Sequence, residues 1–329
     1  MVCKKALVFF SKIVMIWGMN TKNEKMDRQF FWRRIHSLLG LWLVVFLIEH
    51  IVTNSQSALL IGDNGAGFIR AVNFIKNLPY LPAIEIGLLA IPIVMHAFWG
   101  VRYLFTSKLN NRAGEGDKPA MPEFGRNRAF AWQRITSWIL LFGLVAHVGY
   151  MRFYRYPVIF DEGVNKSYFV RVSDDPGLPT VADRLGVKLF NAQQIAAIQG
   201  QLGEDDFSGL TGVELQQEEM KQEWVKDLSS KKLGSDQVMA MAPDFGTATL
   251  LTVRDAFSSP FESALYTIFV LAAVFHAFNG LWTFMITWGI VLKMRSQKRA
   301  VNVCYGIMAL IAFLGLASVW GTYWINLKN

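Results

Sequence analysis

The sequence is poor in the residues that build soluble or disulfide-stapled domains. It has two cysteines, Cys3 and Cys304, at opposite ends of 329 residues. They offer neither a disulfide framework nor metal-ligand spacing. Charged residues make up 18% of the chain, against about 25% in a typical soluble domain. There are five histidines, none of them in the polar stretch 152–261. The net charge of +8 comes from basic residues grouped at the ends of apolar runs. That placement excludes a nucleic-acid surface on a folded polar domain and instead fits the charge bias that orients membrane proteins.

Apolar and aromatic residues are abundant. The chain is 53% hydrophobic and carries 11 Trp, which suits a protein with two membrane–water interfaces to anchor. Five stretches, at 34–54, 82–105, 131–151, 262–291 and 301–325, hold enough continuous apolar sequence to cross a bilayer. They are too long and too evenly apolar for soluble amphipathic helices. The expected fold is therefore an all-α membrane protein, a bundle of five transmembrane helices. A shorter apolar stretch, Ala6 to Met19, carries Lys12 and has no small-x-small site after it. It reads as an extension lying on the membrane rather than a secretory signal.

Lysine and arginine in short loops set the orientation. Lys22, Lys25, Arg28, Arg33 and Arg34 precede the first helix; Lys108, Arg112, Lys118, Arg126 and Arg128 lie between the second and third; Lys293, Arg295, Lys298 and Arg299 lie between the fourth and fifth. The loop between the first and second has only Arg70 and Lys76. The N-terminus is thus expected in the cytoplasm and the C-terminus outside. The chain divides into a cytoplasmic N-terminal extension (1–33), helices one to three (34–151), an extracytoplasmic insert (152–261) and helices four and five (262–329). The insert is acidic on balance, with PGLP at 176–179 and a polar helical run at 213–228.

All five histidines, His36, His50, His96, His147 and His276, fall within or at the edge of the predicted helices. Ionisable groups inside a membrane are costly and point to function. A single one reads equally well as a polar residue bonded to a neighbouring helix, but one on each of four helices favours a shared ligand. At 1.5 Å of rise per residue, His50 and His147 lie at the outer ends of helices one and three, and His96 and His276 lie deeper on helices two and four. Two imidazoles facing across a bundle can supply both axial ligands of a haem. With both positions filled by protein, such a haem moves electrons rather than activating a gas. A zinc or di-iron site fits less well, because its ligands converge at one depth, often with carboxylates one turn away. Gly100 and Gly280, four residues after His96 and His276, and Gly143, four before His147, leave room for a flat porphyrin or for close helix packing.

His36 is fourteen residues, roughly 21 Å, from His50 and cannot share its haem. With Ser37 and the adjacent arginines it can hold anionic haem propionates, or serve as an interfacial cap. Arg134 and Trp132 invite the same two readings. Of the carboxylates near the outer level, Glu49 and Glu85, the second lies three turns before His96 on nearly the same face. Glu85 is the candidate proton acceptor for a quinol at the outer side; otherwise it is a helix-end residue near the headgroups.

Five segments carry a family resemblance: RRIHSLLG at 33–40, LIEHIV at 47–52, LPYLPAIEIG at 78–87, IVMHAFWGVRY at 93–103 and FHAFNGLWTFMITWGI at 275–290. Together they resemble the di-haem cytochrome b membrane anchor of succinate:quinone oxidoreductases, the succinate dehydrogenases and fumarate reductases. The resemblance implies two haem b groups, the inner on His96 and His276, the outer on His50 and His147, with His36 and Ser37 near the inner propionates. It implies flavoprotein and iron–sulfur partner subunits on the cytoplasmic face, carrying FAD and iron–sulfur clusters. Electrons from succinate would pass through flavin, clusters and both haems to a membrane quinone, expected to be menaquinone, in a bacterial plasma membrane. The insert at 152–261 and the N-terminal 25 residues exceed the family's usual pattern. The rivals are a cytochrome b anchor of another oxidoreductase, such as nitrate reductase or hydrogenase, and a haem-free transporter relaying protons through histidines.

Overall fold

The computed structural model describes residues 28–59, 62–106, 125–161, 166–202 and 212–329. Most of the N-terminal extension, with Cys3, Lys22 and Lys25, and the basic residues Lys108, Arg112 and Lys118 lie outside the described residues.

Among the described residues five helices are long and apolar enough to cross a membrane: Phe30–Ser55, Leu81–Tyr103, Gly125–Tyr154, Pro260–Thr287 and Met294–Asn326, the first to fifth spans. The second widens to a π-helical turn at Glu85–Ala90, and the third and fifth end in similar turns at Gly149–Tyr154 and Thr322–Asn326. The third and fifth spans begin before their apolar runs do. Arg, Lys and Gln are good helix formers whose long side chains keep their polar heads in water, so the helix continues into basic sequence. The fourth span stops at Thr287, short of the expected 291, because Gly289 adopts a left-handed φ of 67° just beyond it. Glycine is the residue that ends a helix this way. At its start Pro260 occupies the first turn, and the Ser259 hydroxyl accepts from the Glu262 N–H at 3.3 Å.

The spans expose apolar faces, including Phe98, Phe142, Leu265 and Phe313. Where they meet, small residues let the helices approach. A Cβ on Gly315 would lie 2.7 Å from Val270, and one on Gly321 2.7 Å from Ala58. In lipid this close packing replaces the hydrophobic drive between helices. The chain before His36 forms a separate unit, in which Phe31 meets Trp32 edge-on at 5.4 Å and the Arg34 guanidinium lies 4.8 Å from the Phe30 ring.

Between the third and fourth spans lies a feature that the sequence pattern did not reveal, a sheet of four antiparallel strands in the order β1–β2–β4–β3. The strands are β1 Val158–Asp161, β2 Lys166–Ser173, β3 Lys188–Phe190 and β4 Gln237–Ala242. The all-α expectation holds for the bundle, and the insert adds this sheet to it. Alternate residues face opposite sides. Val170, Val172, Val238 and Ala240 pack against the Leu178–Arg184 and Phe245–Ser258 helices. Phe160, Phe169 and Met239 pack against Ile195, Trp224 and Leu228 on two other helices. One of these, Val213–Leu228, is the expected polar helical run.

The insert shares its core with a short helix between the first and second spans and with the end of the fifth span. Its first apolar cluster runs on into Phe68 of the Ala66–Lys76 helix and into Val319 and Leu327. The buried Arg254 guanidinium donates to Asp175 at 2.6 and 2.9 Å and to the Leu327 carbonyl at 2.7 Å. Asn73 donates to Asp244 at 2.7 Å, and Asn326 to the Ser57 carbonyl at 2.8 Å. Arg155 pairs with the buried Asp255. Burial pulls the Arg155 guanidinium down, but the Asp255 carboxylate more than offsets it and leaves the group above its usual range.

Candidate functional site: two imidazole pairs

Four of the five histidines come together as two pairs drawn from four different spans. His50 of the first span meets His147 of the third, with ring centres 6.0 Å apart and planes at 82°. His96 of the second meets His276 of the fourth, at 6.3 Å and 83°. Imidazoles bound to one metal ion from opposite sides, each nitrogen about 2 Å from the metal, have ring centres about 6 Å apart. Both pairs therefore have the spacing of two axial ligands. Among the described residues no group of three or more His, Cys, Asp or Glu side chains gathers as a metal cluster.

Neighbouring groups select which ring nitrogen is free. The His96 Nδ1 lies 3.1 Å from the His36 carbonyl, which can only accept, so Nδ1 carries the proton and Nε2 keeps its lone pair. The His276 Nδ1 lies 3.4 Å from Thr136 Oγ1 and 3.5 Å from Ser137 Oγ. Both hydroxyls already donate to backbone carbonyls, Thr136 to Trp132 at 2.9 Å and Ser137 to Gln133 at 2.7 Å. Their oxygens are left to accept from His276, again freeing Nε2. The His147 Nδ1 lies 3.0 Å from the Tyr266 hydroxyl. Metal-bound histidines characteristically spend their second nitrogen in this way.

The other sequence-predicted residues are placed as follows. The His36 ring stacks on His96 with centres 4.1 Å apart and planes 10° from parallel. Its Nδ1 is buried with no hydrogen-bond partner among the described residues, so it can meet an acceptor such as a carboxylate. Ser37 stands beside it, half-buried. The Arg134 guanidinium lies 5.9 Å from the exposed Phe130 ring. Glu85, on the π-helical turn of the second span, pairs with Arg152 at 3.0 Å, and both side chains are partly exposed. Glu49 accepts from Thr53 at 2.9 Å, one turn along its own helix.

The glycines divide. A Cβ on Gly143 would lie 2.6 Å from the Phe269 ring, so this glycine serves close helix packing. Gly100 faces His36 at 3.7 Å and Gly280 faces Gln133 at 3.8 Å. Gly40, not singled out by the sequence pattern, is the tightest against an imidazole, its Cβ position 3.0 Å from His96 Cε1. Its signal was present, since it lies one helical turn after His36. Thr136, Ser137 and Tyr266 were also missed.

The chain is 26% identical over 295 residues to the succinate dehydrogenase cytochrome b558 subunit of Bacillus subtilis (strain 168), a match that covers 89% of this chain and 97% of that protein. This relative bears out the resemblance to succinate dehydrogenase membrane anchors. No protein-family model and no solved structure matches the chain.

Proposed function

We propose that the chain is the di-haem cytochrome b membrane subunit of a succinate:quinone oxidoreductase. The observation that carries this reading is the pair of imidazole couples at two depths, each spaced for a single metal ion. His96 and His276 would hold one haem b, His50 and His147 the other. Bound there, the haems would supply one-electron redox chemistry. The residues around them fix ring orientation. The His36 carbonyl and the Thr136 and Ser137 hydroxyls hold the far pair, and Tyr266 holds His147 at the insert end.

In this reading the insert end is extracytoplasmic, as the basic loops at the opposite end require. The 152–261 segment is then an external domain, and the flavoprotein and iron–sulfur partners, with FAD and iron–sulfur clusters, dock on the cytoplasmic face. Glu85 lies at the insert end and exchanges protons with a quinol, taken to be menaquinol, while His36, Ser37 and Arg134 face the inner propionates. The five apolar spans make the chain a multi-pass membrane protein, and in this reading the membrane is a bacterial plasma membrane. An electron moving across 100 mV of membrane potential exchanges about 2.3 kcal/mol with it, so the field can drive reduction of a low-potential quinone by succinate.

The test is the haem-to-chain ratio of the purified protein, with a reduced-minus-oxidised spectrum. Two low-spin b haems per chain are expected. Folded, colourless protein would overturn the reading and favour the proton-relay transporter. Succinate–quinone activity indifferent to an uncoupler would count against coupling to the membrane field.

A further inference from the structure

The third span ends at Tyr154 and the first strand of the insert starts at Val158. The residues between them pass from lipid to water, and cations from four parts of the chain gather on this short stretch. Lys76 donates to the Tyr156 hydroxyl at 2.9 Å, and Lys231 to the Tyr156 carbonyl at 2.6 Å. Arg171 donates to the Tyr154 hydroxyl and to the Lys232 carbonyl. The Arg152 guanidinium lies 4.4 Å from the centre of the Tyr156 ring, and that of Arg155 4.8 Å from the Tyr150 ring.

Carboxylates do not balance these charges. Arg152 pairs with Glu85 and Arg155 with Asp255. Glu262 accepts from the Tyr150 hydroxyl at 3.1 Å. Lys76, Arg171 and Lys231 bond only to neutral oxygens among the described residues. Lys231 is half-buried. Burial, and then the charges of Arg171 and Arg155, push its ammonium below its usual range. Like charges held close and partly out of water favour an anion between them. Arginine presents a planar fork to phosphate oxygens and lysine a point charge. Beside them the surface is apolar: Phe153 is 75% exposed and Tyr154 58%. Aromatic side chains of this kind sit at headgroup level.

We propose that this junction binds an anionic phospholipid, its phosphodiester held by Arg171 and Lys231 and its acyl chains laid along Phe153 and the third span. Inorganic phosphate satisfies the same cations but leaves the aromatic surface uncovered. A zwitterionic lipid covers that surface but brings a cation with its phosphate. An anionic lipid meets both demands, and it links the insert to the bilayer through two residues of the insert itself. The proposal needs only that the third span crosses the membrane, and it stands apart from the haem reading.

The test is photolabelling of the full chain in phosphatidylcholine vesicles that hold a minor share of phosphatidylglycerol carrying a diazirine near its headgroup, followed by peptide mapping. Label is expected on 150–156 or on 231–232. Lys231→Gln and Arg171→Gln, which keep hydrogen-bond donors but remove charge, are each expected to lower that label about five-fold, the worth of one cation close to an anionic lipid surface. Lys188→Gln, an exposed cation on β3, is expected to leave it unchanged. Absence of label from both segments of the wild-type chain would overturn the proposal, whatever the variants do. So would equal labelling by a phosphatidylcholine diazirine probe, or unchanged labelling of both glutamine variants. Loss of the label to inorganic phosphate as readily as to unlabelled phosphatidylglycerol would assign the cations to a free anion and overturn it as well. Helical circular dichroism of each variant separates lost binding from lost fold.

Discussion

Replacing His276 by leucine should halve the haem content and leave the fold intact. Leucine approximates the buried volume of imidazole, so little cavity is created. The two hydroxyls that face His276 Nδ1 keep their own acceptors, because Thr136 and Ser137 donate to the Trp132 and Gln133 carbonyls. No buried donor is orphaned, and the expected loss of stability is about 1–2 kcal/mol. The far haem would be left with His96 alone. Losing a direct ligand should weaken binding by more than the about 10–100-fold that follows from disturbing an outer hydrogen bond. His50 and His147, paired with each other at 6.0 Å, should keep the second haem and act as an internal control for folding. The assay is haem per chain by pyridine haemochrome, together with a potentiometric titration in which two components become one. Retention of both components would refute the pairing. Loss of both from protein with unchanged helical circular dichroism would refute the independence of the two sites.

Tyr266→Phe removes the hydroxyl 3.0 Å from His147 Nδ1 and should perturb only the insert-end component, with about 10–100-fold weaker haem retention there; equal perturbation of both components in the titration would contradict the assignment. Arg254→Ala breaks a buried bidentate pair with Asp175 and frees the Leu327 carbonyl, at a cost of about 3–5 kcal/mol. Limited proteolysis should then cut the insert much faster, and unchanged protection would show that the clamp is dispensable. Glu85→Gln keeps the shape beside Arg152 but removes the proton-exchanging group. It should lower kcat for quinol turnover with haem content unchanged, and an unaltered kcat would return Glu85 to a structural role.

The five spans were legible because an unbroken apolar run of bilayer length is seldom anything but a membrane helix. The grouping of the histidines was legible as well, since helix rise converts sequence position into depth. The structure brings together the same two couples, His50 with His147 and His96 with His276. Helix ends were not legible where basic residues such as Arg126 and Arg295 prolong helices past the apolar run. The sheet was hidden for a different reason. Both of its faces are covered, so β4 reads as the short run QVMAMA rather than as alternating polar and apolar residues, and β3 has only three residues. Partners across the bundle, such as Tyr266 for His147, depend on how two helices are rotated against each other, which one sequence does not specify.

The two imidazole pairs differ in what holds them, and the difference gives the insert a role. The far pair is braced from within the bundle, by the His36 carbonyl on one side and by the Thr136 and Ser137 hydroxyls on the other. At the insert end, the Tyr266 that bonds His147 also meets Phe257 edge-on at 5.1 Å. Phe257 belongs to the buried core of the Phe245–Ser258 helix, the same helix whose Arg254 grips Asp175 and the Leu327 carbonyl. A continuous chain of packed and bonded groups therefore runs from the last residues of the fifth span, through the insert core, to the orientation of one imidazole. The insert is thus part of the support of the His50–His147 site, and loosening its clamp at Arg254 should disturb that pair before it disturbs His96 and His276.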